Sequence, residues 1–172
     1  QSLVILVAVV FGISMPLSPV QVLWINLVTA ITLSLPLAAE PAEPGIMQRK
    51  PRDVNESILP RAQIRLIALT SLLIGGLSLG VFLYGQSHGL THAQAQTTAV
   101  TMLAFAQLAF LFSSRFLNTS ALTRQVLVGN RLIWMAAGAL VVLQMIFIYT
   151  PFMNSWFGSA PIGWRSWLLV LV

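Results

Sequence analysis

Asn26, Thr29 and Thr32 recur at i, i+3 and i+6 in an otherwise apolar run, so they fall on one drifting face of a helix. Amide and hydroxyl oxygens in such a run can do two things. They can bond a neighbouring helix, at about 0.6 to 2 kcal/mol per contact in a membrane, or they can coordinate a cation. Gln107 interrupts a second apolar run, with Ser114 seven residues on along the same face, and Gln144 interrupts a third. A buried Gln carries two donors and two acceptors, and these must meet another helix, a water or an ion. Helix-to-helix bonding and ion coordination therefore both stay open for these residues.

The other polar clusters offer less chemistry. His88 and His92 have i, i+4 spacing, but zinc needs at least three protein ligands and no third is evident nearby. Glu40, Glu43, Asp53 and Glu56 are the only acidic residues, and Arg49, Lys50, Arg52, Arg61 and Arg65 surround them, the composition of a solvated mixed-charge loop. No Gly-rich phosphate cradle, paired carboxylates or nucleophile–base arrangement appears. No residue is assigned as catalytic or as a metal ligand.

The elements that must hold these residues are membrane spans. Of the 172 residues, 57% are hydrophobic and 8% charged, and the mean hydropathy is +0.86. A soluble domain could not cover that apolar surface with so few charges. The net charge of +5 sits in loops between apolar runs, which points to membrane orientation rather than to nucleic acid. There is no cysteine, so disulfides and thiolate metal sites are excluded.

Four runs read as spans or near-spans: Val20 to Ala39, Ile64 to Tyr84, Thr97 to Phe112, and Leu132 to Tyr149. Each is apolar round most of its circumference, and only a helix or a closed barrel satisfies the backbone in lipid. The runs are too long and too weakly alternating for barrel strands. Ser2 to Ile13 and Trp164 to Val172 are shorter than the roughly 20 residues a helix needs to cross, and both read as cut helices of a larger polypeptide. The expectation is an all-α polytopic bundle with four full spans and a truncated helix at each end.

Loop charge orients it. Arg49, Lys50, Arg52, Arg61 and Arg65 flank one loop and Arg115, Arg124 and Arg131 occupy another, so both should face the cytoplasm. Met15 to Pro19, Gln86 to Ala95 and Thr150 to Gly163 then face outward, with Arg165 as the one basic residue near that side. Trp156, Trp164 and Trp167 suit an interfacial belt. Gly75, Gly76 and Gly80 include a G-x-x-x-G pair, which allows close helix packing, and Pro36 predicts a break in the first full span.

Residue order goes beyond generic membrane character. "PLSPVQVLWINLVTAITLSLPLAAEPAEPGIMQRKPRD" closely resembles the sixth transmembrane helix and following cytoplasmic loop of cation-transporting P-type ATPases, whose pattern is P-L-T-P-x-Q-x-L-W-x-N-x-V-T and then E-P-x-x-P-x-I-M-x-R-x-P-R. "QSLVILVAVVFG" looks like the outer half of the fifth helix, "LIGGLSLGVFLYG" like the seventh, and "AVTMLAFAQLAFLFSSRFLNTSAL" like the eighth with its loop. The ninth helix and the start of the tenth follow, so the resemblance covers residues 1–172.

The resemblance implies the C-terminal membrane part of an ATP-driven pump in a bacterial plasma membrane. It also implies partners: the lipid bilayer, an inorganic cation, and four earlier helices with actuator, nucleotide-binding and phosphorylation domains on the same parent chain. The D-K-T-G-T phosphorylation motif has no counterpart in these residues, so ATP and magnesium would belong to the parent protein. Where relatives such as the calcium and sodium–potassium pumps carry acidic ligands, the matching positions are Gln1, Ala30 and Gln107. The missing carboxylates speak against a calcium-pump site, because a divalent ion in low dielectric favours anionic oxygens. The resemblance thus implies an ion path with neutral ligands from Asn26, Thr29, Gln107 and Gln1. It also implies a coupling loop, residues 40–63 with Glu40, Glu43, Arg49, Lys50 and Arg52, linking the phosphorylation domain to the helices. Two other readings compete: a secondary transporter, which would show internal repeats not visible between the halves, and a truncated helix bundle that transports nothing.

Overall fold

The computed structural model describes residues 2–34, 38, 61–118 and 131–171. Gln1, Pro36 and the loop from Glu40 to Pro60 lie outside the described residues, as do the charges assigned to coupling. The described residues form seven α-helices in order: α1 (Ser2–Val10), α2 (Pro19–Thr29), α3 (Arg61–Ser87), α4 (His92–Asn118), α5 (Arg131–Tyr149), α6 (Pro151–Phe157) and α7 (Trp164–Leu171). The described residues contain no strand, as the all-α reading requires. Among the described residues, three segments are long and apolar enough to cross a membrane: Gln63–Ser87, His92–Ser113 and Leu132–Tyr149. The fourth expected span is helical through α2 and a π-helical turn, Ala30–Ser34. Its described apolar helix, Pro19–Thr32, is shorter than the other three.

Local chemistry fixes several ends. Ser18 caps α2 by accepting from the Gln21 amide, while the Gln21 side chain accepts from the Ser18 amide, a reciprocal capping box with Pro19 at the first helical position. Thr91 and Gln94 repeat the device at the start of α4. That pair corrects the expected boundary: α4 begins at His92, five residues before Thr97, because capping rather than hydrophobicity starts it. The expected Gln86–Ala95 loop shrinks to residues 88–91, where Gly89 takes a φ of +82°. The expected Thr150–Gly163 loop contains α6.

Helix α4 is the centre of the bundle, touching α2, α3, α5 and α7. Its spanning window is 67% buried, against 22% for α3, whose outer face carries exposed Leu66, Leu69, Leu72 and Leu73. The main core joins Val4, Trp24, Ile25, Val28, Val100, Leu103, Leu140 and Phe147. Trp24 stacks on Phe147 at 5.5 Å and meets Phe157 edge-on at 5.3 Å.

The close helix approach falls on Gly75. A Cβ there would lie 2.9 Å from Leu3 Cδ2, so α1 packs on α3 where the side chain is missing. Gly76 and Gly80, the G-x-x-x-G pair, have nothing within 4 Å of a built Cβ. The spacing motif therefore lies beside the contact, not in it.

Candidate functional site

The polar face expected on α2 divides between surface and core. Asn26 and Ala30 are exposed, Thr29 is half-buried and Thr32 is buried. Both threonines donate their hydroxyl protons to their own helix: Thr29 Oγ1 to the Ile25 carbonyl at 2.7 Å, and Thr32 Oγ1 to the Val28 carbonyl at 2.7 Å. A hydroxyl whose proton is engaged this way presents only lone pairs to any further partner. Thr29 is thereby set up as an acceptor, the polarity a cation requires.

Immediately after Thr29 the helix widens into the π-turn of Ala30–Ser34. π-turns inside α-helices concentrate at functional sites, because the wider hydrogen-bonding register displaces carbonyls from their usual amide partners. The Ala30 amide is shared between the carbonyls of Asn26 and Leu27, an α-helix-end arrangement, and the wider register follows it. The apolar sequence carried no direct signal for it. Pro36 suggested a break, and the irregularity is seen two to six residues earlier.

Gln107, half-buried on α4, lies elsewhere. It lines a cavity of about 440 Å³ together with Ser2, Thr70, Ser71 and Gly75, between α1, α3 and α4. Asn26 and Thr29 do not line that cavity. The described structure therefore brings Gln107 together with Ser2, Thr70 and Ser71, a grouping that sequence reasoning missed. Its only trace was a Thr-Ser pair inside the apolar run of α3.

Gln144 resolves as helix bonding: its Nε2 donates to Thr101 Oγ1 at 3.0 Å, both side chains being fully buried. The histidines separate. His92 Nδ1 is 3.0 Å from Gln86 Nε2, whereas His88 stacks on Tyr84 at 3.8 Å. No group of three metal-ligating side chains occurs among the described residues.

At the rim remote from the basic loops, side chains tie helices to connecting backbone. Gln21 Nε2 donates to the Phe157 carbonyl, Gln96 Nε2 to that of Met15, and Gln94 Nε2 to that of Pro161, at 3.2, 2.8 and 3.3 Å. The Ala160 amide donates to Thr97 Oγ1 at 2.9 Å. These bonds seat the connections and so hold α2 and α4 in register. Trp24 Nε1 is the buried side-chain polar atom left without a partner among the described residues.

A bundle of apolar helices, three of them among the described residues long and apolar enough to cross a membrane, defines a helical integral membrane protein. The model of the family "Cation transporting ATPase, C-terminus" matches residues 14–172, and the chain belongs to that family. It is 36% identical over 170 residues to the "Probable cation-transporting ATPase F" of Mycobacterium tuberculosis, covering 99% of this chain and 19% of the relative. It is 33% identical over 177 residues to the "Cation-transporting ATPase pma1" of Synechocystis, covering 100% and 20%. It is 31% identical over 172 residues to the "Calcium-transporting ATPase" of Bacillus subtilis, covering 99% and 19%. The chain thus spans about a fifth of the length of these curated relatives.

Proposed function

We propose that the chain supplies the C-terminal membrane part of an ATP-driven cation pump of a bacterial plasma membrane, with Asn26 and Thr29 contributing neutral oxygens to the ion path. The observation that carries this reading is the joint placement of exposed Asn26 and Ala30 and half-buried Thr29 at the start of the π-turn. An exposed amide at membrane depth is costly against lipid, so this face of α2 is read as one that further helices of the parent chain cover. Gln107 and Gln1 belong to the same neutral set in this reading, Gln107 through the cavity it shares with Ser2, Thr70 and Ser71.

Ala30 bears on the class of ion in this reading. A methyl group at the start of the π-turn supplies no anionic oxygen, and a site of amides, hydroxyls and carbonyls suits a monovalent cation unless the remaining helices bring carboxylates. The loop of residues 40–63, with Glu40, Glu43, Arg49, Lys50 and Arg52, is proposed to couple the membrane helices to the phosphorylation domain. ATP and magnesium would bind only to that domain and the nucleotide-binding domain of the parent protein.

The test is ion-stimulated ATPase activity of the full-length protein, reconstituted in liposomes, with Ala30→Asp and Asn26→Ala. Asn26→Ala is expected to raise the half-activating ion concentration about tenfold, the loss of one coordinating bond of roughly 1.4 kcal/mol. Ala30→Asp is expected to shift preference toward divalent ions. Unchanged affinity and unchanged preference in both variants would refute the assignment.

A further inference from the structure

Gln21 does more on α2 than complete its cap. Its Oε1 accepts from the Ser18 amide, and its Nε2 donates to the Phe157 carbonyl at 3.2 Å. Three residues on, Trp24 meets the Phe157 ring edge-on at 5.3 Å. One face of α2 thus grips a single residue at both its carbonyl and its ring. Gln21 is fully buried, and among the described residues it is the one side chain of α2 that hydrogen-bonds another helix.

Phe157 is itself a fixed point. Gly158 follows it at a φ of +62°, Ser159 Oγ donates to the Phe147 carbonyl of α5 at 2.8 Å, and the Ala160 amide donates to Thr97 Oγ1 of α4 at 2.9 Å. The connection that holds α2 is therefore held by α4 and α5 in turn. The gripped face of α2 carries Gln21, Trp24, Ile25 and Val28, all buried. Asn26 is exposed and lies five residues past Gln21, about 140° further round the helix.

Rotation of α2 about its axis therefore decides where the Asn26 amide and the Thr29 hydroxyl point. The apolar contacts of the gripped face are non-directional, whereas a hydrogen bond weakens steeply once bent. An oxygen about 5 Å from the axis moves roughly 1.7 Å for a rotation of about 20°. Cation–oxygen distances in a site span only a few tenths of an ångström, so such a rotation would undo coordination.

We propose that Gln21 is a positioning residue for the ion path: its bond to the Phe157 carbonyl fixes the rotation of α2 and so the aim of Asn26 and Thr29. This rests on the ion-path reading. Gln21 acts through those residues, roughly 7.5 Å along the axis from Asn26, and takes no part in coordination.

The experiment uses the full-length protein in liposomes, its ATPase activity titrated with sodium, potassium, calcium and manganese in turn, and the ion that stimulates most carried forward. Gln21→Met keeps the side-chain length but removes both amide bonds. It should raise the half-activating concentration about fivefold, the net worth of one hydrogen bond, while the rate at saturating ion changes less than about twofold. Combined with Asn26→Ala, it should give close to the roughly tenfold rise of Asn26→Ala alone, because the two act on one oxygen. Ser18→Ala, which removes the cap and leaves the Phe157 bond, should lower the melting temperature without moving the half-activating concentration. If Gln21→Met does not fold, Phe157→Leu takes its place, removing the ring contact with Trp24, and a smaller rise in the same direction is expected. An unmoved half-activating concentration in the folded variant, full multiplication in the double variant, or an equal rise in Ser18→Ala would each overturn the proposal while Asn26→Ala keeps its effect. Asn26→Ala without effect would overturn the ion-path reading and the proposal with it.

Discussion

The buried bond from Gln144 Nε2 to Thr101 Oγ1 yields an asymmetric prediction, because its two partners stand differently without it. Thr101 still donates its own proton to the Thr97 carbonyl at 2.7 Å, so losing Gln144 deprives it only of an incoming donor. Gln144 is 1% exposed, and replacing Thr101 strands its amide. Gln144→Leu removes the need along with the bond and should cost about 0.6 kcal/mol, the mean for interhelical bonds in membranes. Thr101→Val keeps the shape but leaves a buried amide unpaired, which should cost about 1 to 3 kcal/mol. The double variant should cost less than the sum of the two by about 1 kcal/mol, because the stranded amide is gone. Reversible unfolding of the full-length protein in mixed micelles, titrated with sodium dodecyl sulfate, measures all three. Equal costs for the single variants, or strict additivity in the cycle, would refute the idea that Gln144 depends on Thr101.

Two further outcomes follow from packing. Gly76→Ala should stabilise the protein by about 0.4 to 1 kcal/mol, because a methyl meets nothing within 4 Å and the unfolded helix loses freedom. Gly75→Ala should forfeit that gain, since Leu3 lies 2.9 Å away. Thermal unfolding in detergent compares them directly, and equal gains would show that α1 does not pack there. Trp24→Phe should cost less than Phe147→Ala, although both lie in the same aromatic stack. The first deletes an N–H that has no partner among the described residues, whereas the second empties a fully buried site at about 3 to 5 kcal/mol. Equal losses in unfolding free energy would mean that the Trp24 indole is bonded after all.

Three of the four expected spans were legible because each apolar run announces itself without help from distant residues, while the fourth is described only as the shorter helix Pro19–Thr32. Helix ends were less so. The run that begins at Thr97 hides a helix that begins at His92, since Gln94, Gln96, Thr97 and Thr98 break the hydropathy while Thr91 supplies the cap. "SPVQ" held a readable capping box, yet nothing local told that Gln21 would also reach Phe157, 136 residues away. The candidate site was legible by type only. Asn26, Thr29 and Gln107 were picked as polar residues in apolar helices, but the π-turn had no local signal, and the grouping of Gln107 with Ser2, Thr70 and Ser71 depends on how α1, α3 and α4 meet.

The hydrogen bonds that seat the connections have a mechanical consequence. Gln21 to Phe157, Gln96 to Met15, Gln94 to Pro161 and Ala160 to Thr97 all rivet one rim of the bundle. Further down α2, the described side-chain bonds of Thr29 and Thr32 stay within the helix. Among the described residues, displacing the π-turn end of α2 therefore breaks no side-chain hydrogen bond to another helix, while the same displacement at the riveted rim must break hydrogen bonds. By its described side-chain bonds α2 is anchored at that rim, and the π-turn lies at the end away from the anchor.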